Sequence, residues 1–214
     1  ETATPDRTGF FVVATIKSAF IKTMLPYDRD IFEFRKQFFK LAGGAFRVFD
    51  ANQQLLLFSE QKAFKLREDI RVYTDEGKMN EVLSIKTPQI LDISATYEIV
   101  DSPSQSKVGS LKRKGLKSIL RDEWEIYDPH GMLLGLVQED STVMALLRRF
   151  LTNLVPQAYS FVLGGEAVGS FKQRFNPFLY HATMDLSADR GRKLDRRIAV
   201  AAAILLMAIE GRQD

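Results

Sequence analysis

The pattern of apolar positions is most distinctive at the C-terminus. Residues Ile198 to Ile209 are apolar without interruption, so a helix here would have no polar face. A helix that is hydrophobic on every side must be enclosed by protein or by lipid. This run spans roughly 18 Å as a helix, which is less than the roughly 30 Å of hydrocarbon in a bilayer. The pattern therefore predicts a central helix over residues 194–210 that is buried in the protein core.

A second pattern repeats along the chain. Its copies begin 25, 26 and 27 residues apart, and they are Phe46–Asp50, Arg71–Asp75, Tyr97–Asp101 and Trp124–Asp128. Apolar and polar residues alternate in each copy, and turn-forming residues and a second β-rich segment follow. Asp opens such turns because its side chain can accept hydrogen bonds from the backbone ahead. The repeat predicts a series of β-hairpins; a solenoid is the alternative, but it explains neither the break after the fourth copy nor the apolar C-terminus.

Other segments have strand or helix patterns of their own. Apolar residues alternate from Ile31 to Leu41, and Gly43-Gly44 is predicted to turn the chain. The further predicted elements are short strands after Lys62, Lys86 and Lys114 (such as Phe64–Leu66), an amphipathic helix over Ser141–Asn153, strands Tyr159–Leu163 and Ala167–Lys172 joined by a Gly164-Gly165 turn, and a strand over Phe178–Leu186.

These elements predict a mainly β (α+β) fold. A long meander must close or stack to hide its edges, which favours a closed antiparallel β-barrel with the amphipathic helix on the outside. A barrel of this strand number is too wide for side chains alone to fill, so the C-terminal helix is expected in the bore. The predicted barrel domain covers residues 30–214. Residues 1–29 form a separate segment, whose apolar part from Phe10 to Leu25 fits a helix or a strand.

Composition narrows the possible chemistry. The 214 residues are 45% hydrophobic and 27% charged, as is usual for a globular protein, and the net charge of +3 permits an anionic partner. The chain has no cysteine, which excludes disulfides, thiolate metal sites, a cysteine nucleophile and S-palmitoylation. No apolar run reaches transmembrane length, so no membrane span is predicted.

The hairpin repeat, the lysine-initiated short strands and the terminal run Leu194-Asp-Arg-Arg-Ile-Ala-Val-Ala-Ala-Ala-Ile-Leu-Leu206 resemble a known group of proteins. They are similar to the LURP-one-related and phospholipid scramblase-like proteins of the tubby C-terminal superfamily. The resemblance extends from about Ile31 to Glu210 and implies a closed tubby-like barrel around a buried C-terminal helix. It implies either binding of phosphoinositide head groups by basic side chains, as in tubby-like members, or calcium-linked lipid movement, as in scramblase-like members. The chain lacks the cysteine-rich stretch of many animal scramblases, which disfavours the latter.

The sequence predicts no catalytic residue, metal or cofactor. His130 is expected in a turn and His181 in a strand, and neither has a second histidine at metal-ligand spacing. Scramblase-like proteins carry a proposed calcium segment at the position of Asp185–Asp189. Here Arg190 replaces the glycine, and Arg196 the bidentate glutamate, of an EF-hand loop. We therefore interpret this segment as the loop that leads into the terminal helix.

Basic residues form two candidate sites for an anionic ligand. The candidate side chains are Lys112, Arg113, Lys114 and Lys117 on one hairpin, and Arg192 and Lys193 at the entrance to the terminal helix. Cations at a helix N-terminus oppose its dipole, and a bound phosphate would relieve that conflict. The alternative is that these side chains extend into water. The hairpin is favoured because no acidic residue lies between Lys107 and Leu120.

These observations predict a non-enzymatic binding or adaptor domain. Its expected ligand is the anionic phospholipid head group at a membrane surface, with a protein partner as the other possibility. Nucleic acid is disfavoured because the basic residues are not interleaved with exposed aromatic residues. The expected location is the cytoplasm, peripheral to a membrane. The alternatives are an enzyme whose site is not visible in the sequence and a calcium-linked scramblase-like protein.

Overall fold

The repeated pattern forms four β-hairpins in the computed structural model of the protein, which describes residues 25–39, 43–61, 69–87, 95–114, 123–140, 156–174 and 180–209. In each hairpin the aromatic-rich copy occupies one strand, and the segment after the turn pairs with it in antiparallel register. The predicted hairpins are therefore confirmed. The pairing alternates apolar side chains towards the interior and polar side chains towards water, as the period of two requires.

Twelve antiparallel strands close into one barrel. Neighbours in the chain are neighbours in the sheet, and β1 closes it by pairing with both β2 and β12. The strands are β1 (Ile31–Phe39), β2 (Gly43–Phe49), β3 (Leu55–Gln61), β4 (Asp69–Tyr73), β5 (Glu81–Lys86), β6 (Thr96–Asp101), β7 (Ser106–Arg113), β8 (Glu123–Tyr127), β9 (Leu133–Glu139), β10 (Ala158–Leu163), β11 (Glu166–Arg174) and β12 (Tyr180–Asp185). Closure removes every free sheet edge. The predicted closed antiparallel barrel is confirmed, and the solenoid alternative is excluded.

Aspartate side chains hold the hairpin turns as the sequence predicts. Asp50 Oδ1 accepts hydrogen bonds from the backbone N–H groups of Asn52 and Gln54, each at 2.9 Å. Asp128 Oδ1 bonds in the same way to the two backbone N–H groups at 130 and 132, at 2.9 and 2.8 Å. Each carboxylate thus satisfies backbone donors that the turn leaves without a strand partner.

The two glycine pairs have different roles. Gly164 and Gly165 form the predicted turn between β10 and β11, with φ values of 56° and 85° that side chains disfavour. The predicted turn at Gly43-Gly44 is wrong, because both residues lie in β2 and pair with β1. A Cβ on Gly44 would lie 2.9 Å from the carbonyl oxygen of Gln37, so glycine permits the close approach of these two strands.

The apolar C-terminal run forms helix α1 (Arg196–Ile209), which fills the bore of the barrel. No residue from Ile198 to Ala208 is more than 3% exposed. The wall comes close to the helix at Gly109 of β7, where a Cβ would lie 2.7 Å from Cδ1 of Ile198. The predicted buried helix is confirmed, with its N-terminal bound moved from residue 194 to residue 196 because Asp195 caps it from outside.

Some predicted features lie outside the described residues. They are the segment 1–24, Lys62 and the short strand Phe64–Leu66, Lys117, the amphipathic helix over Ser141–Asn153, and Glu210 at the end of the terminal helix. Within the described part of the chain, no helix has the length and apolarity that crossing a membrane requires.

Candidate functional site

A buried ion pair lies where α1 enters the barrel, which we call the entrance end. Arg196 Nη1 donates to Asp189 Oδ2 at 2.7 Å, and the two side chains are 6% and 1% exposed. Asp189 also accepts hydrogen bonds from the backbone N–H groups of Lys193 and Leu194, at 2.9 and 3.0 Å. Burial raises the pKa of Asp189, but these three hydrogen bonds lower it more, so the carboxylate stays ionised.

The rest of the Arg196 guanidinium connects distant segments. Nη2 donates to Asp30 Oδ1 at 2.7 Å, and the backbone carbonyls of Leu186 and Leu194 accept longer bonds from Nη2 and Nη1. A buried guanidinium is tolerated only where its charge and its donors are matched in this way. Arg196 therefore acts as a structural clamp between α1, the loop that follows β12 and the segment before β1.

Carboxylates also resolve the predicted conflict between cations and the helix dipole. Asp195 caps α1, because its Oδ1 accepts a 2.8 Å hydrogen bond from the backbone N–H of Arg197. The Arg197 guanidinium bonds back to Asp195 at 2.6 Å and across to Asp101, the last residue of β6, at 3.1 Å. A negative charge at the cap is favourable. The helix N-terminus therefore has its anion within the chain and does not require a bound phosphate.

The predicted candidates Arg192 and Lys193 differ in how strongly they are paired. Arg192 forms an ion pair with Asp28 and lies 3.9 Å from Asp30. Lys193 is 66% exposed, and its Nζ lies 3.8 Å from a carboxylate oxygen of Glu166. Arg192, Arg196 and Arg197 are thus paired with aspartates, of which Asp28, Asp30 and Asp101 come from other segments.

A cleft of about 460 Å³ opens beside these ion pairs. Its apolar wall is formed by Leu25, Pro26, Val82, Pro103 and Leu194, and the charged side chains of the entrance end complete it. Tyr27 also lines the cleft. Burial raises the pKa of its phenol well above the usual range, and the nearby Asp101 carboxylate adds to the rise, so the phenol is neutral.

The predicted hairpin site lies at the opposite end of the barrel, which we call the far end. Strand β7 begins at the entrance end, beside Asp101, and Lys112 lies roughly 20 Å further along it at about 3.4 Å per residue. The two groups of candidate residues therefore do not converge on one site. Lys117 lies outside the described residues.

The three described hairpin candidates do not share one surface. Arg113 is opposite the buried Trp124 in the register, and its Nε atom is buried, so the side chain starts from the inner face of the wall. Lys112 and Lys114 lie on the outer face, since side chains alternate along a strand. Lys114 forms an ion pair with Glu123, and its Nζ lies 3.8 Å from Glu125.

Neighbouring strands supply acidic residues that the linear sequence separates from the hairpin. Glu123 and Glu125 of β8 reach Lys114, and Glu98 of β6 accepts a 2.9 Å hydrogen bond from Lys107. Acidic residues are therefore present on the surface around β7, although none occurs in the sequence between positions 107 and 120. These cross-strand ion pairs could have been predicted from the sequence, because the repeated copies indicate which residues of neighbouring strands lie opposite each other.

Sequence reasoning missed a buried lysine at the other end of the helix. Lys36 is 3% exposed, and its Nζ donates to the backbone carbonyl of Met207 at 2.7 Å. The same Nζ lies 5.2 Å from the centre of the Phe46 ring. A cation near a helix C-terminus complements the dipole. The clue in the sequence is that Lys36 occupies an inward position in the alternating pattern of β1.

The two histidines lie where the sequence predicts them, in a turn and in a strand. His130 lies in the β8–β9 turn, while burial and the charge of Arg35 lower the pKa of His181 in β12. In the segment compared with a calcium loop, Asp185 accepts a hydrogen bond from the backbone of Ser187, and Asp189 faces Arg196. Among the described residues, no group of three or more potential ligands could hold a metal ion.

The region that matches a known protein family has nearly the same bounds as the barrel and its helix. The model of the LURP-one-related family matches residues 30–207, which run from the residue before β1 into the last turns of α1. An X-ray structure of a protein from Arabidopsis thaliana is similar with a TM-score of 0.47 and 10% sequence identity, and the match covers 84% of this chain and 91% of that chain. No curated protein matches the sequence.

Proposed function

The chain belongs to the LURP-one-related family, and from this premise we propose that it is a non-enzymatic binding module for the anionic surface of a phospholipid membrane. The far end of the barrel is the surface that makes the contact, with Lys112 as its leading cation. The protein then acts peripherally, at the cytoplasmic face of a membrane. A protein partner with an acidic surface would use the same chemistry and is the second candidate.

The difference in pairing between the two basic groups supports this proposal. At the entrance end, Arg192, Arg196 and Arg197 all face aspartates. At the far end, no described residue forms an ion pair with Lys112. An unpaired cation can bind an anion without first breaking an internal ion pair.

The surroundings of Lys112 keep its charge available. Glu125 lies directly across the β7–β8 ladder, but it accepts a 2.7 Å hydrogen bond from the Tyr127 hydroxyl and lies 3.8 Å from Lys114. Lys112 is partly exposed on the outer wall. Its ammonium group can therefore reach a head group while its aliphatic stem stays on the barrel.

The enzymatic alternative has less support from the geometry. It requires a cleft in which a carboxylate or a histidine titrates near neutral pH. In the entrance cleft, hydrogen bonds from Ser104 and Arg197 outweigh burial and lower the pKa of Asp101, so this carboxylate is a poor base at neutral pH.

Vesicle flotation tests the proposal with two variants that change the net charge equally. Lys112→Ala should weaken binding to vesicles of phosphatidylcholine and phosphatidylserine about fivefold, since each cation near such a surface contributes about 1 kcal/mol. Lys193→Ala removes an exposed cation from the entrance end and should leave affinity unchanged. Binding of the wild type should also weaken strongly between low and physiological salt.

The possible results distinguish an error in the location of the lipid-binding site from an error in the proposed function. Loss of binding in Lys193→Ala but not in Lys112→Ala would retain the lipid function and move the site to the entrance end. Wild-type binding that does not depend on phosphatidylserine would contradict the head-group proposal itself.

A further inference from the structure

The large apolar side chains that are exposed in the described part of the chain all lie at the entrance end. They are Leu25, Ile31, Met79, Met132 and Leu133, with exposed fractions from 40% to 82%. Leu25 precedes β1 and Ile31 begins it, Met79 lies in the β4–β5 turn, and the other two lie where the β8–β9 turn enters β9. These turns share one end with the β6–β7 turn, because every second connection of an antiparallel meander lies on the same side. Apolar surface gathered at one place indicates a binding surface.

The entrance cleft is the concave part of this end. Its apolar wall consists of Leu25, Pro26, Val82, Pro103 and Leu194, and all of these except Leu194 are at least partly exposed. An occupant can therefore contact the wall without displacing the core. A concave, mostly apolar surface of this kind is typical of binding sites.

The charges of the cleft favour an apolar occupant. Each of its three arginines, Arg192, Arg196 and Arg197, already forms an ion pair with an aspartate of the chain. A charged occupant would have to break one of these pairs before it gained any contact. The apolar wall can be covered without that cost.

The sequence just before the described residues is itself apolar and ends at the cleft. In residues 10–24 the only charged side chains are Lys17 and Lys22. The next residue is Leu25, which lines the cleft. Five residues of extended chain span about 18 Å, so side chains a few positions before Leu25 can reach the cleft. The large apolar side chains in this segment are Phe10, Phe11, Val12, Val13, Ile16, Phe20, Ile21 and Met24.

The covalent connection favours this segment over a separate occupant. A short link gives the attached partner an effective concentration in the millimolar range. A second copy of the protein would have to reach a similar concentration in order to compete. We propose that the apolar side chains of residues 10–24 pack in the entrance cleft of their own chain. The packed segment then excludes other apolar molecules from the cleft.

Thiol reactivity tests where the segment packs, because the chain has no cysteine of its own. In the full-length protein, Phe20→Cys introduces one thiol, and cysteine packs as a small apolar residue. Iodoacetamide should alkylate this thiol about tenfold more slowly in the native protein than in urea-unfolded protein, since a packed thiol is inaccessible. Ile16→Cys, measured separately, should be protected in the same way.

Two matched aspartate substitutions test the location. Pro103 lies in the β6–β7 turn and lines the cleft, whereas Pro129 lies in the β8–β9 turn and does not; both are exposed. Added to Phe20→Cys, Pro103→Asp should remove most of the protection, because covering a carboxylate with apolar side chains is unfavourable. Pro129→Asp adds the same charge and should leave the protection unchanged. Circular dichroism should show that both variants are folded.

Disulfide formation identifies the occupant. Phe20→Cys combined with Pro103→Cys should form an intrachain bond about tenfold faster than Phe20→Cys combined with Pro129→Cys, since the bond needs Cβ atoms about 3.5–4.5 Å apart. Oxidation at low micromolar protein concentration followed by a non-reducing gel measures both rates. Mainly interchain bonds would assign the cleft to a second copy and overturn the proposal.

Three other results would also overturn the proposal. They are equal rates of intrachain bond formation in the two cysteine pairs, protection that survives Pro103→Asp, and protection that appears only when phosphatidylcholine vesicles are added. The last result would assign the segment to lipid.

This packing is independent of the proposed membrane contact. The cleft lies at the entrance end and the lipid-binding surface at the far end, so Lys112→Ala should not change the protection of the thiol. Failure of the packing proposal therefore leaves the flotation result unaffected, and the converse also holds.

Discussion

Single polar residues fix the position of a helix that has no polar face of its own. Asp189 and Arg196 form a buried pair at its N-terminal end, and Lys36 donates to the carbonyl of Met207 near its C-terminal end. The hydrophobic effect favours burial of the helix in the bore, but it is not directional. By itself it does not determine how deep the helix lies or how it is rotated about its axis. The buried polar contacts are directional, and they select one depth and one rotation.

Removal of the Asp189 carboxylate tests this role. We expect Asp189→Ala to lower the free energy of unfolding by about 3–5 kcal/mol, because Arg196 would remain buried without its closest anion. Urea unfolding followed by circular dichroism gives this value. Glu166→Ala is the control, since Glu166 is 77% exposed in a loose pair and should change stability by less than about 0.5 kcal/mol. Similar losses in the two variants would contradict the clamp.

The same carboxylate predicts how stability depends on pH. Hydrogen bonds outweigh burial and lower the pKa of Asp189 in the folded state, so the unfolded state binds its proton first as the pH falls. This contribution is complete above the unfolded pKa of about 3.9 and is lost as the pH falls through the folded pKa. We expect the contribution of Asp189 to be constant from about pH 7 to pH 5, where the lowered pKa of His181 acts separately and equally in the wild type and in Asp189→Asn, and to decline below about pH 4. Asp189→Asn should decline less steeply, and a parallel decline in both proteins would exclude this carboxylate as the cause.

The limit of sequence reasoning is clearest for these residues. The turn-opening role of Asp50 and Asp128 is local and could be predicted, because the bonded backbone groups lie two to four residues ahead. The pair between Arg197 and Asp101 joins residues 96 positions apart, and no local pattern indicates it. Long-range ion pairs determine which basic side chains lack an acidic partner. The two candidate sites could therefore be distinguished only from the structure of the barrel.

Strands and helices depend mainly on residues that are close together in the sequence, whereas the candidate sites depend on residues that are far apart. The hairpins follow from alternation and turn chemistry, and α1 follows from an apolar run too short to cross a membrane. The misplaced turn at Gly43-Gly44 has a physical cause. Glycine serves both tight turns and close strand approach, and the sequence alone does not separate the two uses.

The packing of α1 against the barrel is testable at a single buried leucine. Leu205 is 1% exposed, so Leu205→Ala should lower the free energy of unfolding by about 2–5 kcal/mol through lost contacts and a cavity. Leu205→Lys should prevent folding, because a charge would be buried without a partner. Urea unfolding and the yield of folded protein measure the two effects. A soluble Leu205→Lys protein with cooperative unfolding would show that this face of the helix is not enclosed.

The whole molecule has a topology that couples the helix to the sheet. All twelve strands pair in a closed ring, and the helix occupies its interior. A helix on the surface of a domain can detach while the rest stays folded, as local openings commonly do. Here the wall surrounds the helix, and ion pairs hold its first turn to β6 and to the segment before β1. Release of the helix therefore requires strands to separate.

Native-state hydrogen exchange tests this coupling. Amides of α1 from Val200 to Leu206 should exchange only through global unfolding, with an opening free energy equal to that from urea denaturation, about 5–15 kcal/mol for a domain. Their dependence on urea should match the global m-value, since opening exposes the whole core. Backbone amides in the β4–β5 turn, such as that of Gly77, provide the comparison and should exchange through local fluctuations. Helix amides that open with a smaller free energy and a shallow urea dependence would show that α1 can leave an intact barrel.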